Sequence, residues 1–255
     1  MWLFWKTSPK NSLYIRNKEE IMAKLGIIGA MSIEVESLKS SMENLSTVNQ
    51  TGMEFYEGTL DGLSCVVVEC GVGKVNAALC VQILCDRFAV THIVNTGVAG
   101  SLSNELDIGD LVVSRDVMYH DFDCTPMGYA IGQVPRMPVL RFPADETLQR
   151  LALDAVGEVY PDHCMTGTVA SGDQFVSDPA VKERIIANTG ALCTEMEGAA
   201  IAHAAFRNSV PFVIIRAISD KADDSAQMDY PSFEVMAAAR CAAVTRAMGR
   251  RLREI

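Results

Sequence analysis

From Lys24 onward, short apolar runs rich in β-branched residues alternate with longer segments whose apolar positions recur at helical spacing. Lys24–Ala30 reads as a buried strand and Ile33–Met42 as a helix. Phe55–Leu60 and Leu63–Glu69 flank Asp61-Gly62, a two-residue turn signal, and read as a hairpin. Lys74–Phe88 has the helical period, and Thr91–Asn95 is a strand that runs into Thr96-Gly97-Val98-Ala99-Gly100. Asp110–Met118 is a strand, and His120–Phe142, with its three prolines, a long loop. Ala144–Val159 is helical, Thr166–Ala170 a strand and Glu197–Arg207 a helix. Pro211–Ile218 is a strand, and Pro231–Arg253 a closing amphipathic helix.

Strands alternating with helices predict a layered α/β domain. The strands are continuous apolar runs, as expected of strands buried on both faces of a largely parallel sheet. No charge run, repeat or Ser/Gly-rich linker divides residues 22–255, so one domain is expected. Residues 1–21 differ: they hold both tryptophans, Trp2 and Trp5. Asn17-Lys18-Glu19-Glu20-Ile21-Met22 can be encoded with AAGGAGG ahead of an AUG. Residues 1–21 are therefore expected to be a disordered extension or a translated upstream region, with Met22 the start.

Composition narrows the function. The net charge of -10 argues against binding to nucleic acid or anionic membranes, which rests on Lys and Arg. No apolar run approaches the roughly 20 residues of a transmembrane helix. The eight cysteines form no C-x-x-C pair and sit mostly in apolar runs, as small buried hydrophobes of a reducing, cytoplasmic compartment. A small-molecule ligand is the better expectation.

Familiar motifs fail on inspection. Gly71-Val72-Gly73-Lys74-Val75 lacks the first glycine and the final Ser or Thr of a Walker loop, and Asn76 rules out G-x-G-x-x-G. The histidines are scattered, and His120-Asp121-Phe122-Asp123 reads as a solvated loop, so no metal is expected. No serine occupies a G-x-S-x-G elbow. Acids remain: Glu34, Asp173, Glu195, Glu197 and Asp220 fall where strands end, the usual ligand edge of such sheets. Paired carboxylates suit glycosidic cleavage, one as acid on the leaving group and one as base on water. Taken singly, Glu34 could serve only a first helical turn and Asp220 only a helix cap.

Taken together these junctions resemble the bacterial 5′-methylthioadenosine/S-adenosylhomocysteine nucleosidases. The resemblance lies in Gly26-Ile27-Ile28-Gly29-Ala30-Met31 with Glu34, in Gly71–Val75, and in Asn95-Thr96-Gly97 with Ala99-Gly100. It continues through Tyr119-His120-Asp121, Ser171-Gly172-Asp173 with Phe175, Glu195-Met196-Glu197, and Arg216–Asp220, covering about residues 24–250. It implies a three-layer α/β/α sandwich around a mixed, largely parallel sheet, of the nucleoside phosphorylase type. The implied activity is hydrolysis of the N-glycosidic bond of methylthioadenosine, S-adenosylhomocysteine and 5′-deoxyadenosine, in methionine salvage and methyl-cycle recycling, without a cofactor.

The resemblance also implies roles. Asp220 matches the acid that protonates adenine N7, with Ser219 orienting it, and Glu34 the base that activates water. Glu197 matches the carboxylate that holds the ribose hydroxyls, and Met31 and Met196 the methionines facing the sugar. Phe175 matches the ring that stacks on adenine, and Val176 a position whose backbone reads the base edge. Arg216 matches a residue near the attacking water, and Gly100 a close backbone approach. Val72 and Tyr230 match apolar walls around the 5′-alkylthio group. Met127, Tyr129 and Pro135 fall where a partner subunit closes the site, which implies a homodimer. This chain departs from the pattern at Val98, where the family commonly has Ser, and at Met127, where an aromatic is common. A purine nucleoside phosphorylase, a futalosine-type hydrolase and a catalytically silent nucleoside-binding protein stand as the alternatives.

Overall fold

A computed structural model describes residues 22–161, 164–223 and 225–255. The extension 1–21 lies outside the described residues. The chain runs β1 (Lys24–Gly29), α1 (Ser32–Lys39), β2 (Glu43–Gln50), β3 (Met53–Leu60), β4 (Leu63–Glu69), α2 (Lys74–Phe88), β5 (His92–Ser101) and β6 (Leu111–Tyr119). After a 3-10 turn at Thr125–Met127 follow β7 (Phe142–Pro143), α3 (Glu146–Val159), β8 (Cys164–Ser171), α4 (Pro179–Thr189), β9 (Cys193–Glu195), α5 (Gly198–Asn208), β10 (Phe212–Asp220) and α6 (Ala226–Leu252).

Among the described residues these strands form one mixed sheet in the order β10-β6-β8-β9-β5-β1-β4-β3-β2, with β7 beside β6. Its centre, β4-β1-β5-β10, is parallel throughout. β10 pairs with both β5 and β6, so the path β10-β6-β8-β9-β5 closes on itself. Its apolar strands are buried on both faces: Val66, Val67 and Val68 of β4 alternate between two separate cores. One core holds α2 and α5, the other α1, α3 and α6, which gives the three layers expected. Among the described residues, no helix is long and apolar enough to cross a membrane.

Several boundaries differ from the periodicity. α1 ends at Lys39 rather than Met42, its last carbonyls taken by Ser40 and Ser41. β5 and β10 run on to Ser101 and Asp220, so the glycine-containing stretch and the acid both sit on strand ends. α6 starts at Ala226, five residues before Pro231, which sits inside the helix without stopping it.

Candidate active site

The carboxyl ends of β1, β5, β8, β9 and β10 converge on a pocket of about 270 Å³. Its walls bring together Met31, Glu34, Val72, Gly100, Phe175, Val176, Met196, Glu197, Ser219, Asp220 and Tyr230 from the sequence-derived set, with Val98 and Glu195.

Glu34 is held by the start of α1. Its Oε2 accepts hydrogen bonds from the N–H groups of Ala30 at 2.7 Å and Met31 at 3.1 Å, and its Oε1 from Val98 N–H at 2.9 Å. The helix N-terminus favours a negative group there. Burial dominates nonetheless and raises the Glu34 carboxyl above its usual range, while Arg216 and the three N–H groups pull it down. Gly97 is needed beside it, since a Cβ there would collide with both Glu34 and Arg216.

Asp220 ends β10. Its carboxylate accepts from Ala222 N–H at 2.8 Å and from Ser219 Oγ at 2.9 Å. Burial lifts its pKa too, against those two hydrogen bonds. A Cβ at Gly100 would stand 2.8 Å from Asp220 Oδ1, so glycine lets the two strand ends meet.

Arg216 does not line the pocket; it binds carboxylates that do. The buried guanidinium pairs directly with Glu195 and Asn95, and lies 3.9 Å from Glu197 and 4.0 Å from Glu34. Burial alone would lower its pKa, but the surrounding carboxylates outweigh that and keep it charged. Glu195 also accepts from Ser171 Oγ and from the N–H groups of Glu197 and Gly198, so it fixes the start of α5. Asn95 and Ser171 are therefore parts of the site that the sequence reading left without a role. Their buried polar side chains on apolar strands were the available signal.

Glu197 accepts from Gly73 N–H at 2.7 Å. Burial, then the charge of Glu195, lift its pKa to about 7. A raised carboxyl contributes stability below its unfolded pKa and loses it as pH rises through the folded value. Glu197→Gln should therefore melt several degrees above the wild type at pH 8, an advantage that fades toward pH 5. The gain is at most about 3 kcal/mol, from about 1.4 kcal/mol per pKa unit. Melting curves at the two pH values check it; a variant no more stable at pH 8 would show that the buried charge is fully compensated.

Phe175 and Tyr230 meet edge to face with centroids 5.7 Å apart, and Tyr230 Oη donates to Met31 Sδ at 3.2 Å. Val176 turns into a small cluster with Leu102, Ala170 and Ile185. Met127, Tyr129 and Pro135 lie on the loop after β6 and do not line this chain's pocket; Met127 is 70% exposed. Among the described residues no group of three His, Cys, Asp or Glu could hold a metal ion.

A mixed sheet whose strand ends gather buried carboxyls around one pocket has the layout of an α/β enzyme. The phosphorylase superfamily profile matches residues 24–250. A 5′-methylthioadenosine/S-adenosylhomocysteine nucleosidase of Halalkalibacterium halodurans is 45% identical over 83% of this chain and 91% of its own. The crystal structure of such a nucleosidase from Colwellia psychrerythraea, in complex with adenine, is 38% identical with a TM-score of 0.86, covering 91% of this chain and 96% of its own. The futalosine hydrolase of Helicobacter pylori is similar at 30% identity and a TM-score of 0.86, covering 90% and 98%. The chain belongs to the 5′-methylthioadenosine/S-adenosylhomocysteine nucleosidase family of the phosphorylase superfamily.

Proposed function

We propose that this chain hydrolyses the N-glycosidic bond of 5′-methylthioadenosine and S-adenosylhomocysteine, releasing adenine and the 5-thio-substituted ribose. The observation that carries the reading is the pair of buried carboxyls, Glu34 and Asp220, facing one pocket that Glu197 also lines. Asp220 gives a proton to adenine N7 as the bond to C1′ breaks and its electron pair passes to the base. Glu34 takes a proton from the water that bonds to C1′. Burial raises both pKa values toward the working pH, the direction that suits a general acid or base. Glu197 accepts from the ribose hydroxyls. The carboxylates around the pocket stabilise the positive charge that develops on the sugar. 5′-Deoxyadenosine offers the same base and diol and fits the same scheme.

Phosphorolysis finds little support. Among the described residues no Lys or Arg lines the pocket, and the N–H groups of Ala30 and Met31, which could cradle an anion, are occupied by Glu34. The 5′ side, walled by Val72 and Tyr230, is apolar and suits an alkylthio group better than a polar extension. Adenine release from methylthioadenosine, followed with and without phosphate, tests the reading. Dependence on phosphate would replace it with a phosphorylase.

Val72, which lines the pocket, and Val75 and Leu79 of the α2 that follows it are exposed and support a second copy of the chain covering this face. In that homodimer Met127, Tyr129 and Pro135 would close the partner's pocket. Sedimentation of the protein as a monomer at working concentration would remove this part. The eight cysteines are free, which supports a reducing compartment such as the cytoplasm.

Val98 is buried, lines the pocket, and holds Glu34 through its backbone N–H rather than its side chain. A hydroxyl there could add one hydrogen bond to the nucleophilic water, about 0.5–1.5 kcal/mol. Val98→Ser should thus raise kcat about two- to twelvefold with little change in KM, and lower the melting temperature because apolar packing is lost. Steady-state kinetics with methylthioadenosine check this; an unchanged kcat in a folded variant would mean that Glu34 already positions the water fully.

A further inference from the structure

The start of α2 is tied to Glu197 in the pocket wall and to the segment that carries Phe175. Gly73 N–H donates to Glu197, the sugar-side carboxylate, at 2.7 Å. The next N–H, of Lys74, donates to Asp173 Oδ1 at 2.9 Å. Asp173 stands on the irregular segment after β8, two residues before Phe175. Its own N–H donates to Asp121 Oδ2 at 2.9 Å, and Lys74 Nζ donates to that same oxygen at 2.5 Å. The Lys74 ammonium also lies 3.6 Å from Asp173 and over the ring of Tyr119. Three elements thus meet in one small ionic knot: the end of β6, the start of α2 and the segment bearing Phe175. Gly73 has φ +98, a conformation that favours glycine, and a Cβ there would stand 3.2 Å from Asp173 Oδ1.

We propose that the start of α2 is a shared clamp which fixes the sugar carboxylate and the base-stacking segment together, with Asp173, Lys74 and Asp121 as its positioning residues. These side chains are 23–50% exposed, and ion pairs that exposed contribute little to stability. Their effect lies in placement: of the two consecutive N–H groups, one donates to Glu197, which lines the pocket, and the other to Asp173, on the segment that carries the pocket residues Gln174 and Phe175. Loss of the Asp173 carboxylate frees the α2 start and the Phe175 segment from each other, so both product halves lose a preformed wall. The inference rests on the nucleosidase reading for the identity of those halves.

The test is the affinity of the intact protein for adenine and, separately, for 5-methylthioribose, measured by calorimetry alongside turnover of methylthioadenosine. Asp173→Ala should weaken both products about three- to fivefold, the scale of a partly exposed charged contact. Asp173→Asn, whose amide oxygen still accepts from Lys74 N–H, should recover most of the loss. Lys74→Met, which leaves the α2 backbone intact and removes only the ammonium, should shift both affinities the same way by less. A merely structural surface contact would move the melting temperature and neither affinity. Unchanged affinities, or a change confined to one product, in variants of a wild type that turns over would overturn the clamp alone. A wild type that releases no adenine and binds neither product would overturn the functional reading with it.

Discussion

Glu34→Gln is expected to lower kcat by about 10²–10⁴-fold, the usual range for loss of a general base. The amide cannot take the proton that water must release. Its geometry is also poorer: Glu34 accepts three backbone N–H groups across both oxygens, and Gln would turn an NH₂ toward one of them. Opposing that cost, a neutral side chain removes the burial penalty that raises the Glu34 pKa. These two effects bear on stability, whereas the proton bears on kcat, so the loss should sit in kcat while adenine affinity stays near wild type. Single-turnover kinetics with a calorimetric Kd for adenine separate them. A variant that keeps most of its kcat would reject Glu34 as the base.

Asp220→Asn should be about as severe with methylthioadenosine, because adenine departs poorly as an anion and the amide has no proton of suitable acidity to give. Asn can still accept from Ala222 N–H through its oxygen and donate its NH₂ to Ser219 Oγ, whose hydroxyl keeps the Ala99 carbonyl as an acceptor, so the fold at the end of β10 should survive. The distinguishing measurement uses a riboside with an activated aryl leaving group, which needs no protonation. There Asp220→Asn should approach wild-type turnover. An equal loss on both substrates would make Asp220 a structural residue of the strand end.

Elements with a clear period or turn signal were legible in the sequence. Lys74–Phe88 and Leu63–Glu69 have the boundaries the pattern predicts, and Asp61 and Gly62 both adopt positive φ, as the hairpin requires. β2 was not legible because Glu43–Gln50 is a polar, mostly exposed edge strand with no apolar alternation. α4 could have been found: Asp178 caps it, Pro179 opens it and Gly190 closes it in the left-handed conformation. The acids of the site were legible by their place at strand ends, but their environments were not. That Arg216 serves three carboxylates from outside the pocket depends on the long-range pairing of β5 with both β10 and β9, which no local spacing encodes. Asp173 likewise looked like one more acid until α2 and β6 were brought beside it.

Pro231 has no N–H to offer the carbonyl four residues back, so the turn of α6 that carries Tyr230 lacks one rung of its ladder. Residues so secured open locally at lower free energy than the rest of a helix. Under the proposed function the Tyr230 wall is the sulfur side, which would make it the yielding side of the pocket, whereas the remaining walls are built on the ends of β9 and β10 and the knot at α2. Substrates that differ only in girth beyond the sulfur then meet a wall that gives way, and selectivity among them is set by the opening equilibrium of one helical turn. Amide exchange across residues 226–230, faster than in the body of α6 and slowed by a ligand that fills that side, would display it.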